Sequence, residues 1–386
     1  MKNYIRIKGS ILISNKKSQA AMEFLMSYGW ALLVILLVIA ALAYFGMLNP
    51  DRFLPDKITV SDSRIQLIST SSNRILIKNV GGEALNNLKI NMTNHNCVES
   101  EAMTIAPGEV KSLTLLCADV PTSNSRLKGD IKITYTANVY GEVVNKVVNA
   151  NYAVRGNYFS NKGLVGYFPF DEDMNDHSGI IPAPTSSNEY YDATNQYSCT
   201  SNCAELANGK VNKALYLKLR PADVECNYVN VNNLAVNTGN SAKNSVAFMM
   251  FWNGTDIHMP FGWGNQYDLW FGGGYFGFNT GQSEVRGVQS VNFNKQWTHV
   301  VAVFSNSPLT TSSNTLYING VRQNIALCPT CNNPAPQSVT TMLRIGQWLA
   351  DNGIIYCLKE GKIDEFYVFN RELTDEEAKA LYMASR

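Results

Sequence analysis

The chain has 386 residues, too many for one ordinary β-domain and enough for two or three separate cores. Its 32 Lys and Arg balance 31 Asp and Glu, which excludes a net field that would draw nucleic acid or an acidic partner. Only 16% of residues are charged, and Asn, Ser, Thr, Gly and Tyr crowd the chain after residue 56, so a mainly β protein of strands and polar turns is expected.

The first predicted element is apolar. Phe24 to Leu48 is a run of 25 residues without a charged side chain. As a helix it would be roughly 37 Å long, against a hydrocarbon core of roughly 30 Å. Lys2, Arg6, Lys8, Lys16 and Lys17 precede it, and Asp51, Arg52, Asp56 and Lys57 follow. The positive-inside rule then puts the N-terminus in the cytoplasm and everything after Asn49 outside. A secretory signal peptide has an apolar run of only about 7 to 15 residues, although Ala41-Leu42-Ala43 has the small-residue pattern of its cleavage site. A plain anchor accounts for the length and leaves Glu23 without a role. An unpaired acid at bilayer depth costs about 2.5 to 3.5 kcal/mol.

Lys16-Lys17-Ser18-Gln19, then Glu23 four residues on, then an unbroken apolar stretch, resembles the class III (type IV pilin-like) signal peptides of archaea. The resemblance implies that a prepilin peptidase removes a basic leader, residues 1–18, by cutting between Ser18 and Gln19. Residues 19–50 would remain as a membrane and filament helix. Glu23 would pair with the freed amine of a neighbouring subunit and set the stagger of a self-assembled filament.

Asn49-Pro50 and Pro55 end that element. Between residues 57 and 151 alternation is plain in Arg74-Ile75-Leu76-Ile77-Lys78 and in Asp130-Ile131-Lys132-Ile133-Thr134-Tyr135, with turns at Gly81-Gly82, Pro107-Gly108 and Tyr140-Gly141. Short strands at this spacing predict a sandwich, and the segment loosely resembles an immunoglobulin-like domain. Cys97 and Cys117 are its only cysteines and are expected to pair.

After the linker-like Arg155-Gly156-Asn157 a second β-module begins. Gly163-Leu164-Val165-Gly166-Tyr167-Phe168, Gln296-Trp297-Thr298-His299-Val300 and Gly361-Lys362-Ile363-Asp364-Glu365-Phe366 fall in an order that resembles the laminin-G-like (LamG), concanavalin A-like jelly roll, over residues 157–386. Ile318-Asn319-Gly320-Val321 reads as a hairpin turn, and Thr374 with Glu377 three residues on reads as a capping box opening a short helix.

No enzyme is expected. His95, His177, His258 and His299 join no serine or cysteine motif, and no phosphate loop is present. A glycosidase needs two carboxylates flanking one bond, and adjacent Asp364 and Glu365 would point to opposite faces of a strand. Asp171, Asp173 and Asp176 offer hard oxygens for a calcium ion, although Asp176 and Pro182 break the EF-hand pattern; a solvated acidic loop is the other reading. Among the aromatics from Phe251 to Phe278, most read as core, with Trp252 and Trp263, beside turn residues, as exposed candidates for stacking a sugar.

Outside the cell the remaining cysteines, Cys199, Cys203, Cys226, Cys328, Cys331 and Cys357, read as disulfides rather than a zinc site. The guess among 15 connectivities is Cys199 with Cys203, Cys328 with Cys331 and Cys226 with Cys357. Asn91-Met92-Thr93 and Asn253-Gly254-Thr255 are glycosylation sequons. The expected protein is a pilin-like adhesin of the cell membrane and surface, its C-terminal domains outside and binding a glycan or protein. The alternatives are a single-pass receptor or envelope protein that does not polymerise, and a secreted glycosidase.

Overall fold

The computed structural model describes residues 14–44, 55–69, 72–121, 125–139, 141–191, 196–198, 203–218, 226–254, 258–264, 267–279, 286–308, 310–326, 337–349 and 355–386. They form two units, Met1–Pro55 and Asp56–Arg386.

The first unit is a helix, α1 (Ser14–Tyr44), rich in Leu, Ala and Met, which lose little side-chain freedom when helical. Its stretch Met22–Tyr44 is long and apolar enough to cross a membrane.

In the second unit the chain first builds eight strands, β1 (Lys57–Val60), β2 (Ile65–Ser69), β3 (Arg74–Asn79), β4 (Leu85–Asn91), β5 (Met103–Ile105), β6 (Val110–Thr114), β7 (Ser125–Val139) and β8 (Glu142–Gly156). They make a five-stranded sheet, β1-β8-β7-β4-β5, and a three-stranded sheet, β2-β3-β6. Alternation sends Ile75 and Ile77 from one sheet, and Ile131, Ile133 and Tyr135 from the other, into one buried cluster. A disulfide joins Cys97 and Cys117. The short β1 lies antiparallel to the far end of β8, with Lys57 opposite Ala153.

The larger sandwich follows: β9 (Leu164–Phe168), β10 (Thr185–Tyr191), β11 (Gln196–Ser198), β12 (Glu205–Asn208), β13 (Lys213–Leu217), β14 (Cys226–Asn232), β15 (Lys243–Phe251), β16 (His258–Trp263), β17 (Tyr267–Gly272), β18 (Tyr275–Asn279), β19 (Arg286–Gln289), β20 (Trp297–Ser305), β21 (Thr315–Ile318), β22 (Val321–Arg322), β23 (Leu343–Ile345), β24 (Gln347–Leu349), β25 (Ile355–Cys357) and β26 (Gly361–Phe369). One sheet runs β11-β10-β14-β23-β16-β17-β18-β19; the other runs β12-β13-β26-β15-β20-β21-β22, with β9 also paired to β26. Phe248, Phe261, Phe304 and Phe366 meet edge-on or stacked in the core between them. The hairpin at Asn319-Gly320 forms with both residues at positive φ, as its tight turn requires.

The outer face of the β26 sheet is covered. Helix α2 (Asp375–Ala384), opened by the Thr374/Glu377 capping box, lays Ala378 and Leu381 into a cluster with Val301, Val303, Tyr317 and Tyr367. His299 lies in this layer, fully buried with its ring 5.8 Å from that of Tyr382, and burial lowers its pKa to about 3. Of the residues read as a linker, Arg155 and Gly156 are instead the end of β8. Consecutive aromatics then enter two cores, Tyr158 that of the small sandwich and Phe159 this outer layer, where Leu116 joins it.

The expected opposition of Asp364 and Glu365 does not hold. Asp364 stands opposite Met249 and Tyr367 opposite Ala247, so Glu365 and Phe366 together face the single Phe248. This bulge, with Glu365 at φ +52°, shifts the alternation by one and leaves both acids on the outer side. Tyr167 and Tyr367 hydroxyls donate to Glu365 at 3.1 and 2.6 Å, and the amides of Lys210 and Val211 donate to Asp364 at 2.8 Å each. Burial pushes the pKa of both acids up, and the positive charge of Arg74, from the small sandwich, opposes the rise at Glu365.

Candidate ligand-binding face

The two tryptophans expected at the surface belong to the core. Trp252 is 4% exposed and stacks on Phe271 at 4.0 Å; Trp263 is 1% exposed and meets Phe261 and Phe304 edge-on. Strand phase decides this rather than nearness to a turn. In β16 and β17, Phe261, Trp263, Tyr267, Leu269 and Phe271 point inward. Gly262, Asp268 and Trp270 therefore point outward.

Across that outer face the register aligns a row of side chains from six strands. Ser187 is opposite Asn230, Asn230 opposite Arg344, Arg344 opposite Gly262, Gly262 opposite Asp268, and Asp268 opposite Asn279. Directly opposed residues share a face, so the row is continuous. Asn279 donates to both Asp268 oxygens at 3.3 and 3.1 Å, and complete burial pushes the Asp268 pKa well above the usual range. Beside the row, Glu189 accepts from Tyr228 Oη at 2.9 Å and from Ser187 Oγ. Arg344 lies 6.0 Å from the centre of the Tyr228 ring.

The β24–β25 pair lies over β14 and β16 on this side. Gly262 makes room for it, since a Cβ there would come within 2.8 Å of Trp348. Trp348 stacks on Tyr356 at 5.7 Å, and Trp270 meets Tyr356 edge-on at 6.4 Å. Trp270 and Tyr356 are half-buried. Rings beside amide, carboxylate and guanidinium groups are the equipment of a site for polar, partly apolar ligands.

A family model described as the concanavalin A-like lectin/glucanases superfamily (Laminin_G_3) matches residues 233–379, which hold much of both sheets. The C-terminal domain is a concanavalin A-like β-sandwich. No curated protein matches the chain. Among solved structures, the binding domain of Botulinum neurotoxin DC in complex with rat synaptotagmin II is 12% identical with a TM-score of 0.40, over 58% of this chain and 52% of that one. The botulinum neurotoxin serotype D binding domain is 14% identical with a TM-score of 0.38, over 57% and 52%. The chain thus spans about half the length of these structures.

The acids near the start of the concanavalin A-like domain do not assemble into a metal site. Asp171 accepts from Asn212 Nδ2 at 2.9 Å and the Lys213 amide at 3.2 Å. Asp173 accepts from Asn175, and His177 Nε2 lies 2.9 Å from it. Asp176 takes the Tyr167 amide at 2.8 Å and Ser178 Oγ at 2.7 Å. Asp173 and Asp176 thus organise their own loop while Asp171 holds the distant Asn212–Lys213 segment, and among the described residues no group of three or more His, Cys, Asp or Glu could hold a metal ion. Burial, with the Glu365 charge, raises the Asp171 pKa to about 7.

Cys203 and Cys357 are disulfide-bonded. The pairings guessed for them with Cys199 and Cys226, and that of Cys328 with Cys331, involve side chains outside the described set. Asn253 of one sequon donates its amide to Lys359 O at 2.8 Å, and Asn91 of the other lies within β4. Backbone of the expected cleavage site is continuous helix, the Ser18 and Gln19 side chains lie outside the described set, and Glu23 is exposed.

The sequence reading missed Arg344, Glu189 and Asn230. Their signal was a charged or amide residue inside an apolar strand, as in Leu343-Arg344-Ile345, which alternation turns away from the core.

Proposed function

We propose that the chain is a pilin-like adhesin of the cell surface, whose concanavalin A-like domain binds a glycan or protein. In this reading a prepilin peptidase cuts between Ser18 and Gln19, α1 anchors the protein and packs into a filament, and Glu23 meets the freed amine of a neighbour. Residues 56–386 are outside the cell. The reading of binding rests on one observation: half-buried Trp270 and Tyr356 stand beside a row of amide, carboxylate and guanidinium side chains. Many copies on a filament would turn a weak grip into a firm one.

Binding of the full-length protein to a glycan array, against its Trp270→Ala variant, tests the domain. Retained binding by the variant removes this face from the reading. N-terminal sequencing tests the processing: a mature chain beginning at Gln19 is expected, and one beginning at Met1 or after Ala43 refutes the cut. Glu23→Ala is expected to insert normally and lose filaments; unchanged assembly leaves the single-pass receptor or envelope protein in its place.

A further inference from the structure

Arg344 is 7% exposed, yet neither its Nε nor its Nη1 has a hydrogen-bond partner. Asn230, directly opposite it, keeps its carbonyl oxygen without a partner, and so on the same outer side do the indole nitrogens of Trp270 and of Trp348, which lies over Gly262, and both side-chain ends of Gln347. A buried donor without a partner is costly, by about 1 to 3 kcal/mol and more for a charged group, so such a cluster points to something that completes it. Donors outnumber acceptors here, and the only permanent charge among these groups is positive. The neighbouring carboxylate, Glu189, already accepts from Tyr228, Ser187 and Asn230. A matching partner therefore brings acceptor oxygens and a negative charge. The rings of Trp270 and Tyr356 at the edge of the cluster match an apolar sugar face.

We propose that Arg344 receives the carboxylate of an acidic sugar, so that the ligands of this face are carboxylated glycans. The proposal rests on the reading that the face binds glycans, and it adds their chemical class. Guanidinium suits the task because it stays charged when desolvated and is planar like the carboxylate. Trp348 and Gln347 would donate to the neighbouring ring or hydroxyl oxygens.

The test is binding of the full-length protein in detergent to four immobilised probes: an oligogalacturonate, a sialylated oligosaccharide, a dextran sulfate oligosaccharide, which carries sulfate and no carboxylate, and neutral maltoheptaose. One or both carboxylated probes are expected to bind, and the positive one identifies the source of the carboxylate. Arg344→Gln should weaken that binding roughly 10- to 100-fold while leaving thermal unfolding in place. Should this variant fail to fold, the unaltered protein with a carboxyl-reduced form of the same oligosaccharide carries the test, and the same loss is expected.

Preference for the neutral or sulfated probe overturns the proposal, as does carboxylate binding that survives both Arg344→Gln and carboxyl reduction. Neutral-glycan binding lost in Trp270→Ala and kept in Arg344→Gln would overturn this proposal alone. Binding to no probe would overturn it along with the glycan reading.

Discussion

The two sheets of the C-terminal sandwich turn their inner faces to one core and differ in what meets their outer faces. On the β26 side, α2, Phe159 and Leu116 bring apolar cover, and the acids that face outward are met by tyrosine hydroxyls, backbone amides and Arg74. On the β23 side the cover is the small β24–β25 pair, and Arg344, Trp270 and Gln347 keep polar atoms without partners. Both outer faces keep buried polar atoms without partners, His299 and Asp364 Oδ1 among them on the first, and the difference lies in the cover: an apolar layer on one and a small strand pair flanked by half-buried aromatic rings on the other. Alternation decides which residues leave a core; only the next layer decides whether they hold the fold or a ligand.

Removing the Arg74 charge at the first face should have the largest effect. Arg74→Met takes away the positive charge that opposes the rise of the Glu365 pKa and is expected to cost about 1 to 3 kcal/mol, read from the denaturant midpoint. An unchanged midpoint would mean that the acids at this junction need nothing from the small sandwich. On the second face, Trp270→Ala should cost about 1 kcal/mol, the share of a half-buried ring, and weaken glycan binding about tenfold. A variant that unfolds instead would make this face structural too.

Smaller changes sharpen the contrast. Thr374→Ala removes a capping box and should cost about 1 kcal/mol by thermal melting, without any effect on ligand. Asp171 holds its proton to about pH 7 in the folded state, so its contribution is present below its ordinary value near 4 and is lost as pH rises through 7. Asp171→Asn should therefore gain on the natural protein by about 1 kcal/mol at pH 8 and not at pH 4, a discount being made for its partial exposure. His299, held neutral to about pH 3, acts at the other end: stability falls as pH drops from about 6.5 toward 3, and His299→Gln should flatten that limb of a pH–stability curve.

Much of the architecture was legible in local pattern. The apolar helix, the hairpin at Asn319-Gly320, the Thr374 cap and the Cys97–Cys117 pair depend on residues within about one or two elements of each other. The bulge at Glu365 was not, because one added residue leaves composition untouched while reversing the phase of everything after it. Trp252 and Trp263 misled for a related reason: nearness to a turn says less than strand phase. The row through Arg344 was hidden more deeply, since residues 187, 230, 344, 262, 268 and 279 become neighbours only once six strands are paired.

In the proposed adhesin, anchored by α1 and holding through its C-terminal domain, the place where β1 joins β8 has a mechanical consequence. The chain enters the small sandwich at Lys57 and completes β8 at Gly156, with Tyr158 still in that sandwich's core, and because Lys57 lies opposite Ala153 both points are at one end of the same sheet. Tension between them peels the four β1–β8 residue pairs apart one after another instead of sliding the strands past each other. Asp56 stands at the point of peeling, where it accepts from the Arg155 amide at 3.0 Å and pairs with Arg126 at 3.6 Å. A pull on the N-terminal side thus meets this one carboxylate first.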